Sequence, residues 1–283
     1  MELLIAAAIL LPLIGSAAAG VIRPKAAGGL SVLVVLLTAA VALYVGLGTF
    51  PGGVTFRVGT LPWMPELGDM GLFGVLLDPL SLVMLLVVVV VGFFVVLYST
   101  EYMSPRNRDH PVEEGNSRYF FWLLLFVGAM TGVALSPNLL QLFIFWELTT
   151  ICSWALISHY YDQKSLAAGY KALIMTHLGG VAFLVAIIVI YTSTGSVEFD
   201  AVSQLTPGGA TTVFVLFLVS AWAKASQIPF HTWLPDAMTA PTPISCYLHA
   251  AAMVKAGVYL VARVVLANGA LPATGAVVGV IAA

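Results

Sequence analysis

The stretch LVMLLVVVVVGFFVVL, residues 82–97, runs for sixteen residues without a single charged side chain. A second long apolar run occupies residues 178–190. A helix needs about 20 mostly apolar residues to cross the hydrocarbon core of a bilayer, and runs of this kind are typical of such helices. Strands of a membrane barrel would instead alternate apolar and polar residues, so the unbroken runs favour helices over a barrel.

The composition supports the same assignment. Hydrophobic residues make up 60% of the 283 residues and charged residues only 8%, whereas about a quarter of a soluble domain is charged. The net charge of −2 gives no basis for a nucleic-acid partner. Cys152 and Cys246 both lie in apolar segments, so we expect them to act as small hydrophobic side chains and to form neither a disulfide nor a metal site. The sequence predicts an all-α membrane protein without a cofactor.

Eight membrane spans are predicted, and a ninth begins near residue 272. They cover residues 3–22, 26–47, 76–97, 119–135, 139–159, 167–191, 211–229 and 244–266. No basic stretch precedes the first span, so we interpret it as a retained helix and not as a signal peptide. The Gly- and Pro-rich segment 52–74 predicts an ordered loop or short hairpin outside the bilayer. We expect one transmembrane domain, with residues 1–118 as its N-terminal helices and loops, 119–266 as spans four to eight, and 267–283 as the start of span nine.

Basic residues in the short loops predict the orientation, because cytoplasmic loops are enriched in Lys and Arg. The loops after the first, third and fifth spans carry most of them, and the opposite side carries Arg57 alone. This bias places the N-terminus outside the cell membrane and the loops after the first, third, fifth and seventh spans in the cytoplasm. The residues concerned are Arg23, Lys25, Arg106, Arg108, Arg118 and Lys164.

Several ionisable residues fall well inside predicted spans, where each costs a few kcal/mol and usually serves a function. These candidates are Glu147, His177, Lys224, His249 and Lys255. By contrast, Lys171, Arg263 and His159 lie near span ends, where their polar tips can reach the interface, so we interpret them as structural.

The buried candidates differ in how strongly they indicate function. Glu147 is too short to reach the interface from the middle of its span, so it must be protonated or paired. Lys224 is the expected partner, either in a buried pair or facing Glu147 through water in the bundle interior. A core histidine bonded to a carbonyl is as good an interpretation of His177 as a proton relay. Lys255 lies six residues after His249 and should face another side of the helix.

Four prolines punctuate the chain after Lys224, in a segment that also holds His231 and Asp236. Because proline lacks an N–H and clashes with the preceding turn, the seventh span should break between Lys224 and Asp236. Broken helices inside a membrane protein mark ion and substrate sites. The alternative is an ordinary proline-rich cytoplasmic loop. The prolines are Pro229, Pro235, Pro241 and Pro243.

Four segments, which follow one another in the same order as in the family, resemble the antiporter-like subunits of the complex I superfamily. They are FWELT at 145–149, KASQIPFHTWLPD at 224–236, APTP at 240–243 and LHAAAMVKAGVY at 248–259. That family includes the large subunit of Mrp cation/proton antiporters and the proton-pumping membrane subunits of respiratory complex I and energy-converting hydrogenases. The resemblance covers roughly residues 78–263.

The resemblance implies two inverted five-helix repeats, of which spans four to eight form the first, each with a broken helix. It implies that Glu147, Lys224, His249 and Lys255 carry protons or cations. His177 and His231 are weaker candidates, and His177 has no counterpart in the family. Members of the family usually continue to about fourteen helices, so this sequence corresponds to a fragment, or to a split or truncated paralogue that needs another chain.

The leading functional hypothesis is therefore a proton- or cation-translocating subunit of a multisubunit complex in the plasma (inner) membrane. Its partners would be other membrane subunits, protons and possibly Na+. The sequence contains no redox motif, so any NADH/quinone or hydrogenase chemistry would belong to partner subunits. Two alternatives stay open, a stand-alone secondary transporter of a small solute and a non-pumping structural subunit.

Overall fold

A computed structural model describes residues 2–50, 52–58, 73–107 and 115–268. Within them, eight helical segments are long and apolar enough to cross a membrane, as predicted. The start of a ninth span lies outside the described residues. The first seven helices are α1 (Glu2–Val21), α2 (Pro24–Thr49), α3 (Pro79–Tyr102), α4 (Asn116–Leu135), α5 (Leu139–Ile157), α6 (Gln163–Thr194) and α7 (Pro207–Lys224).

The bundle is arranged around α4, which packs against α1, α2, α3 and α5. Glycines make two of these contacts close. A Cβ at Gly128 would lie 2.7 Å from the Leu13 side chain, and one at Gly132 would overlap the Phe145 ring. Beyond α5, the helices α6 and α7 continue the bundle, with α6 packed between α5 and α7.

Polar residues set the first turn of several helices and explain why the observed bounds differ from the predicted ones. The side chain of Asp162 accepts hydrogen bonds from the Lys164 and Ser165 N–H groups and caps α6. At the other end Gly195 adopts φ +70° and stops the helix. The 32-residue α6 is therefore longer than the predicted span 167–191. Asn138 and Thr206 cap α5 and α7 in the same way.

The third span was predicted to begin too early. Residues 76 and 77 belong to strand β2 (Phe73–Leu77), which pairs antiparallel with β1 (Val54–Val58). The predicted short hairpin is confirmed in its two strands. The helix begins only after Asp78, whose side chain accepts from the Ser81 N–H while the Ser81 hydroxyl accepts from the Asp78 N–H. The Gln141 amide holds β2 by bonding both the N–H and the carbonyl of Gly74.

The predicted break in the seventh span is confirmed, but the helix ends at Lys224 and not at Pro229. Ser226 takes a left-handed φ of 56°, which an α-helix cannot continue through. The chain then forms short pieces, which include α8 (Trp233–Asp236) and α9 (Thr242–Ser245). A π-helical turn at Cys246–Ala251 joins α9 to α10 (Met253–Asn268), and together they make the eighth span.

The three loops that the basic residues placed on one side do lie together. The Ser117 hydroxyl donates to the Ile22 carbonyl, and the Arg118 guanidinium donates to the His159 carbonyl. Tyr102 bonds Thr242 at the same end. We call this end of the bundle the basic end. The opposite end holds the β-strands, the α4–α5 turn and the end of α10.

The sequence suggested that the polar tip of His159 reaches the interface, and the structure does not show this. It is buried, and its ring lies 5.3 Å from the ring of Tyr119. Burial, together with the neighbouring Arg118 guanidinium, lowers the pKa of His159 to about 4. This histidine is therefore neutral at physiological pH and packs as a core residue.

Arg263 is also buried and does not extend to water. Its guanidinium makes two bonds to the Asp78 carboxylate and one, of 2.7 Å, to the Tyr259 hydroxyl. The Tyr259 hydroxyl in turn donates to the Ala134 carbonyl. We call this chain of contacts the Asp78–Arg263 brace. It joins the start of α3, the end of α4 and α10. Burial alone would raise the pKa of Asp78, but bonds from Arg263 and Ser81 outweigh it and hold that pKa below its usual value.

Asp78→Asn should destabilise the protein, because it leaves the Arg263 charge buried without its carboxylate. Losing one partner of a buried pair costs several kcal/mol, and partial exposure of Asp78 reduces this to about 2 kcal/mol. The matched control is Glu101→Gln, because Glu101 and its partner Arg106 are both largely exposed and such a pair contributes little. Thermal denaturation in detergent, followed by size-exclusion fluorescence, measures both. Equal melting temperatures for the two variants would show that the brace contributes no stability.

Candidate functional site

Lys224 is the last residue of α7, and no part of it is exposed in this structure. Its ammonium donates to the Trp146 backbone carbonyl and to the Thr150 hydroxyl, each at 2.8 Å. Both acceptors lie in the middle of α5, so the charge is held at depth inside the bundle. Lys224 is thus enclosed by protein groups, as expected for an ionisable residue well inside a predicted span.

The Trp146 indole adds a further contact to this cation. The Lys224 nitrogen lies 4.9 Å from the centroid of the Trp146 ring, within the range of a cation–π interaction. The ring itself is buried and packs edge-on against Phe183 at 5.6 Å. The ammonium is therefore solvated by a carbonyl, a hydroxyl and a ring face where water would otherwise be needed.

The predicted Glu147–Lys224 pair is not a direct salt bridge. In the described part of the chain, the Glu147 carboxylate bonds His177 Nδ1 on α6, at 2.6 Å. Lys224 is still close enough for an electrostatic interaction with Glu147. The physical reason for the difference is that the α5 backbone and Thr150 reach the ammonium first, while Glu147 points towards α6.

The Glu147–His177 pair lies at the edge of the bundle. The Glu147 side chain is 18% exposed and that of His177 is 60% exposed in this chain. One carboxylate oxygen, Oε1, is buried and has no hydrogen-bond partner among the described residues. This oxygen is free to accept a bond from a further donor.

Two consecutive glycines on α6 make the site possible. A Cβ at Gly180 would overlap Glu147 Oε1, so only glycine leaves room for the carboxylate there. A Cβ at Gly179 would lie 2.5 Å from the Ala223 Cβ, so glycine also lets α6 and α7 approach closely next to Lys224.

His249 lies on the π-helical turn, is buried, and has both ring nitrogens unpaired among the described residues. Its ring centroid lies 5.9 Å from that of Trp233. The Trp233 indole donates to the carbonyl of Ala223, the residue before Lys224. Trp233 therefore connects the end of α7 with His249. π-Helical turns of this kind are frequent at functional sites.

The remaining candidates do not join this cluster. Lys255 is exposed on α10 and lies on another side of the helix from buried His249, as expected. His231 is exposed in the break segment. Lys171 bonds Asp236 at 2.6 Å, which ties α6 to α8. The described residues contain no group of three His, Cys, Asp or Glu side chains that would hold a metal ion.

Sequence reasoning missed three parts of the site: the Trp146 carbonyl, the Thr150 hydroxyl and Gly180. A backbone carbonyl carries no sequence signal. The single available signal was the spacing of Trp146 and Thr150, which lie one helical turn apart and so share one face of α5. Glu147 lies beside that face.

Two family models match this chain, and the longer match covers the part of the chain that contains these residues. The family described as NADH:quinone oxidoreductase/Mrp antiporter, TM, matches residues 136–283, and the family of the complex I chain 5 N-terminus matches residues 63–120. The chain is 41% identical over 221 residues to a Na(+)/H(+) antiporter subunit of Alkalihalophilus pseudofirmus, covering 76% of this chain and 26% of that protein. It is 37% identical over 274 residues to an NADH-quinone oxidoreductase subunit of Escherichia coli, covering 92% and 43%.

Two solved membrane complexes contain chains with the same fold. A chain of the Mrp complex from Dietzia sp. DQ12-45-1b matches with a TM-score of 0.80 at 33% identity, over 97% of this chain and 29% of that one. The archaeal membrane-bound sulfane sulfur reductase complex also matches with a TM-score of 0.80, but at 24% identity, so it supports the fold alone. The sequence spans between a quarter and a half of the length of the two curated relatives described above.

Lys224→Met should leave the stability of the protein unchanged or raise it. A buried charge is costly to desolvate, and an apolar side chain of similar length often replaces one without loss. Thermal denaturation in detergent is the measurement. Leu218→Met, a volume-conserving change at a buried position on the same helix, is the control. A melting temperature well below that of the control would mean that Lys224 serves the fold.

Proposed function

We propose, because the chain belongs to the NADH:quinone oxidoreductase/Mrp antiporter transmembrane family, that it is a proton- or cation-translocating subunit of a multisubunit membrane complex. The observation that carries the proposal is Lys224, fully buried at the end of a helix broken inside the bundle. A charge at that depth is expensive. It is also placed where backbone groups and water can reach it through the break.

In the proposed mechanism, His177 and Lys224 compete for the negative charge of Glu147. While His177 carries a proton, it compensates the Glu147 charge through their 2.6 Å bond. The attraction of Glu147 for the Lys224 ammonium is then weak, and Lys224 releases its proton more readily. When His177 is neutral, the full charge of Glu147 acts on Lys224 and favours proton uptake. Proton release and uptake at Lys224 would thus follow the state of His177.

His249 is the proposed next carrier. It is buried, its two nitrogens are unpaired among the described residues, and Trp233 connects it with the end of α7. A neutral imidazole with one donor and one acceptor nitrogen is suited to pass protons along a hydrogen-bonded chain. Lys255 would take protons onward at the surface of the protein, and exposed His231 would serve the basic end of the route.

Other membrane subunits are the proposed partners. Exposed His177 and partly exposed Glu147 lie in the middle of two spanning helices, where contact with lipid would be costly. A covering subunit removes that cost. The relatives named in the comparisons belong to complexes, which supports a hetero-oligomer over a stand-alone transporter. We further propose a single transmembrane domain with residues 119–266 as its repeat, located in the plasma membrane with the N-terminus outside.

Lys224→Met and Lys224→Ala should abolish or strongly reduce ion transport by the intact complex, because neither side chain binds a proton. Assembly should persist, since Glu147 keeps its bond to His177. Sodium- or proton-gradient-driven transport in membrane vesicles is the measurement, with native gels to follow assembly. Lys171→Ala is the control, because its half-exposed pair with Asp236 contributes little. Normal transport by the assembled Lys224 variants would refute the proposed function.

His177→Ala should slow transport several-fold in the same vesicle assay. With His177 gone, Glu147 acts on Lys224 without a competing partner, so proton release from Lys224 becomes slower. The control is Ile174→Ala, which alters an exposed residue of α6 one turn away. If Ile174→Ala slows transport equally, the effect comes from the helix surface and not from the competition for Glu147.

A further inference from the structure

The Thr150 hydroxyl occupies a special position beside Lys224. It is fully buried and accepts a 2.8 Å hydrogen bond from the ammonium. The hydroxyl proton of Thr150 makes only a long hydrogen bond, of 3.3 Å, to the Trp146 carbonyl. The neighbouring Thr149 hydroxyl donates to the same carbonyl at 2.7 Å. The carbonyl thus has a closer hydroxyl donor, which leaves the Thr150 proton available for another acceptor.

The two groups that bind the ammonium differ in what they can do after it loses a proton. A carbonyl only accepts hydrogen bonds, whereas a hydroxyl both donates and accepts. A neutral amine has a lone pair that needs a donor. Among the two partners of the Lys224 nitrogen, Thr150 alone can supply one, by rotating its O–H towards the nitrogen.

We propose that Thr150 is a positioning residue for Lys224, holding the nitrogen in one place in both protonation states. The hydroxyl accepts from the ammonium and donates to the amine. It does not take the translocated proton, which leaves the lysine along the proposed route. The inference rests on the proposed function, and it adds a residue that keeps the lysine aligned with that route through the whole cycle.

Ionisable groups on three neighbouring helices lie around the contact between Thr150 and Lys224. From α5, Glu147 and Cys152 interact electrostatically with Lys224. From α6, His177 acts through its bond to Glu147, and Lys171 is paired with Asp236. From α10, Lys255 is exposed and Arg263 is bonded to Asp78. None of them contacts the Thr150 hydroxyl in the described residues, so a change at Thr150 leaves their own bonds intact.

The decisive comparison is Thr150→Val against Thr150→Ser in the intact complex. Valine keeps the shape of threonine without the hydroxyl, and serine keeps the hydroxyl without the methyl group. A hydrogen bond to a charged group is worth enough to change a rate about tenfold or more. We expect Thr150→Val to slow transport by about that factor and to move its pH profile towards lower pH, since the ammonium has lost an acceptor. Thr150→Ser should stay within about threefold of the natural protein and keep its pH profile.

Thr131→Val is the matched control. It removes a buried threonine hydroxyl from α4 that donates to the Gly128 carbonyl of its own helix and makes no hydrogen bond to Lys224 or to its partners. Lys224→Met is measured alongside, with assembly followed on native gels. The inference is wrong if Thr150→Val transports normally while Lys224→Met is inactive, and the proposed function then stands. It is equally wrong if Thr150→Ser is as impaired as Thr150→Val, or if Thr131→Val is as impaired. Normal transport by Lys224→Met would overturn the proposed function itself, and the role of Thr150 with it.

Discussion

The site depends on keeping one ammonium group in the interior of a protein that is itself surrounded by lipid. Lys224 has no exposed surface, so its charge must be solvated entirely by protein groups. The surrounding features meet that need. The middle of α5 offers a carbonyl and a hydroxyl, Gly179 lets α6 and α7 approach closely at Ala223, and Gly180 leaves room for the Glu147 carboxylate. A larger residue at either glycine would move the groups that make the charge tolerable.

The two ends of the bundle differ in how firmly they are joined. At one end, the Asp78–Arg263 brace and the bonds of Asn268 to the α6–α7 connection tie several helices together. At the basic end, α7 gives way to short helical pieces and a π-helical turn. Short pieces with few repeated backbone bonds open more easily than long helices. The arrangement places the more deformable segment next to Lys224 and His249, and the firmer one away from them.

Much of this was predictable from the sequence because the signals are local. Long apolar runs predicted eight spans, prolines predicted the break after Lys224, and the rarity of buried charges singled out Glu147, Lys224 and His249. The pairing of those charges was not predictable. Glu147 bonds His177 and Lys224 bonds α5, because the packing of three helices decides which groups meet. The cap residues Asp78 and Asp162 carry a sequence signal for helix starts that the predicted spans did not use. The end of α7 depends on the left-handed Ser226, which the prolines alone did not locate.

The end of α7 at Lys224 has an electrical consequence. The peptide dipoles of a helix add up to a partial negative charge of about half an electron at its C-terminus, and this charge stabilises a cation there by about 0.3–1 kcal/mol. The last carbonyls of α7 accept hydrogen bonds from the Ala225 and Gln227 N–H groups and from the Trp233 indole, which fix their orientation. The lysine therefore experiences a fixed attraction from its own helix in addition to the variable one from Glu147. The backbone sets a constant baseline for holding the proton, and the carboxylate adjusts the affinity around it.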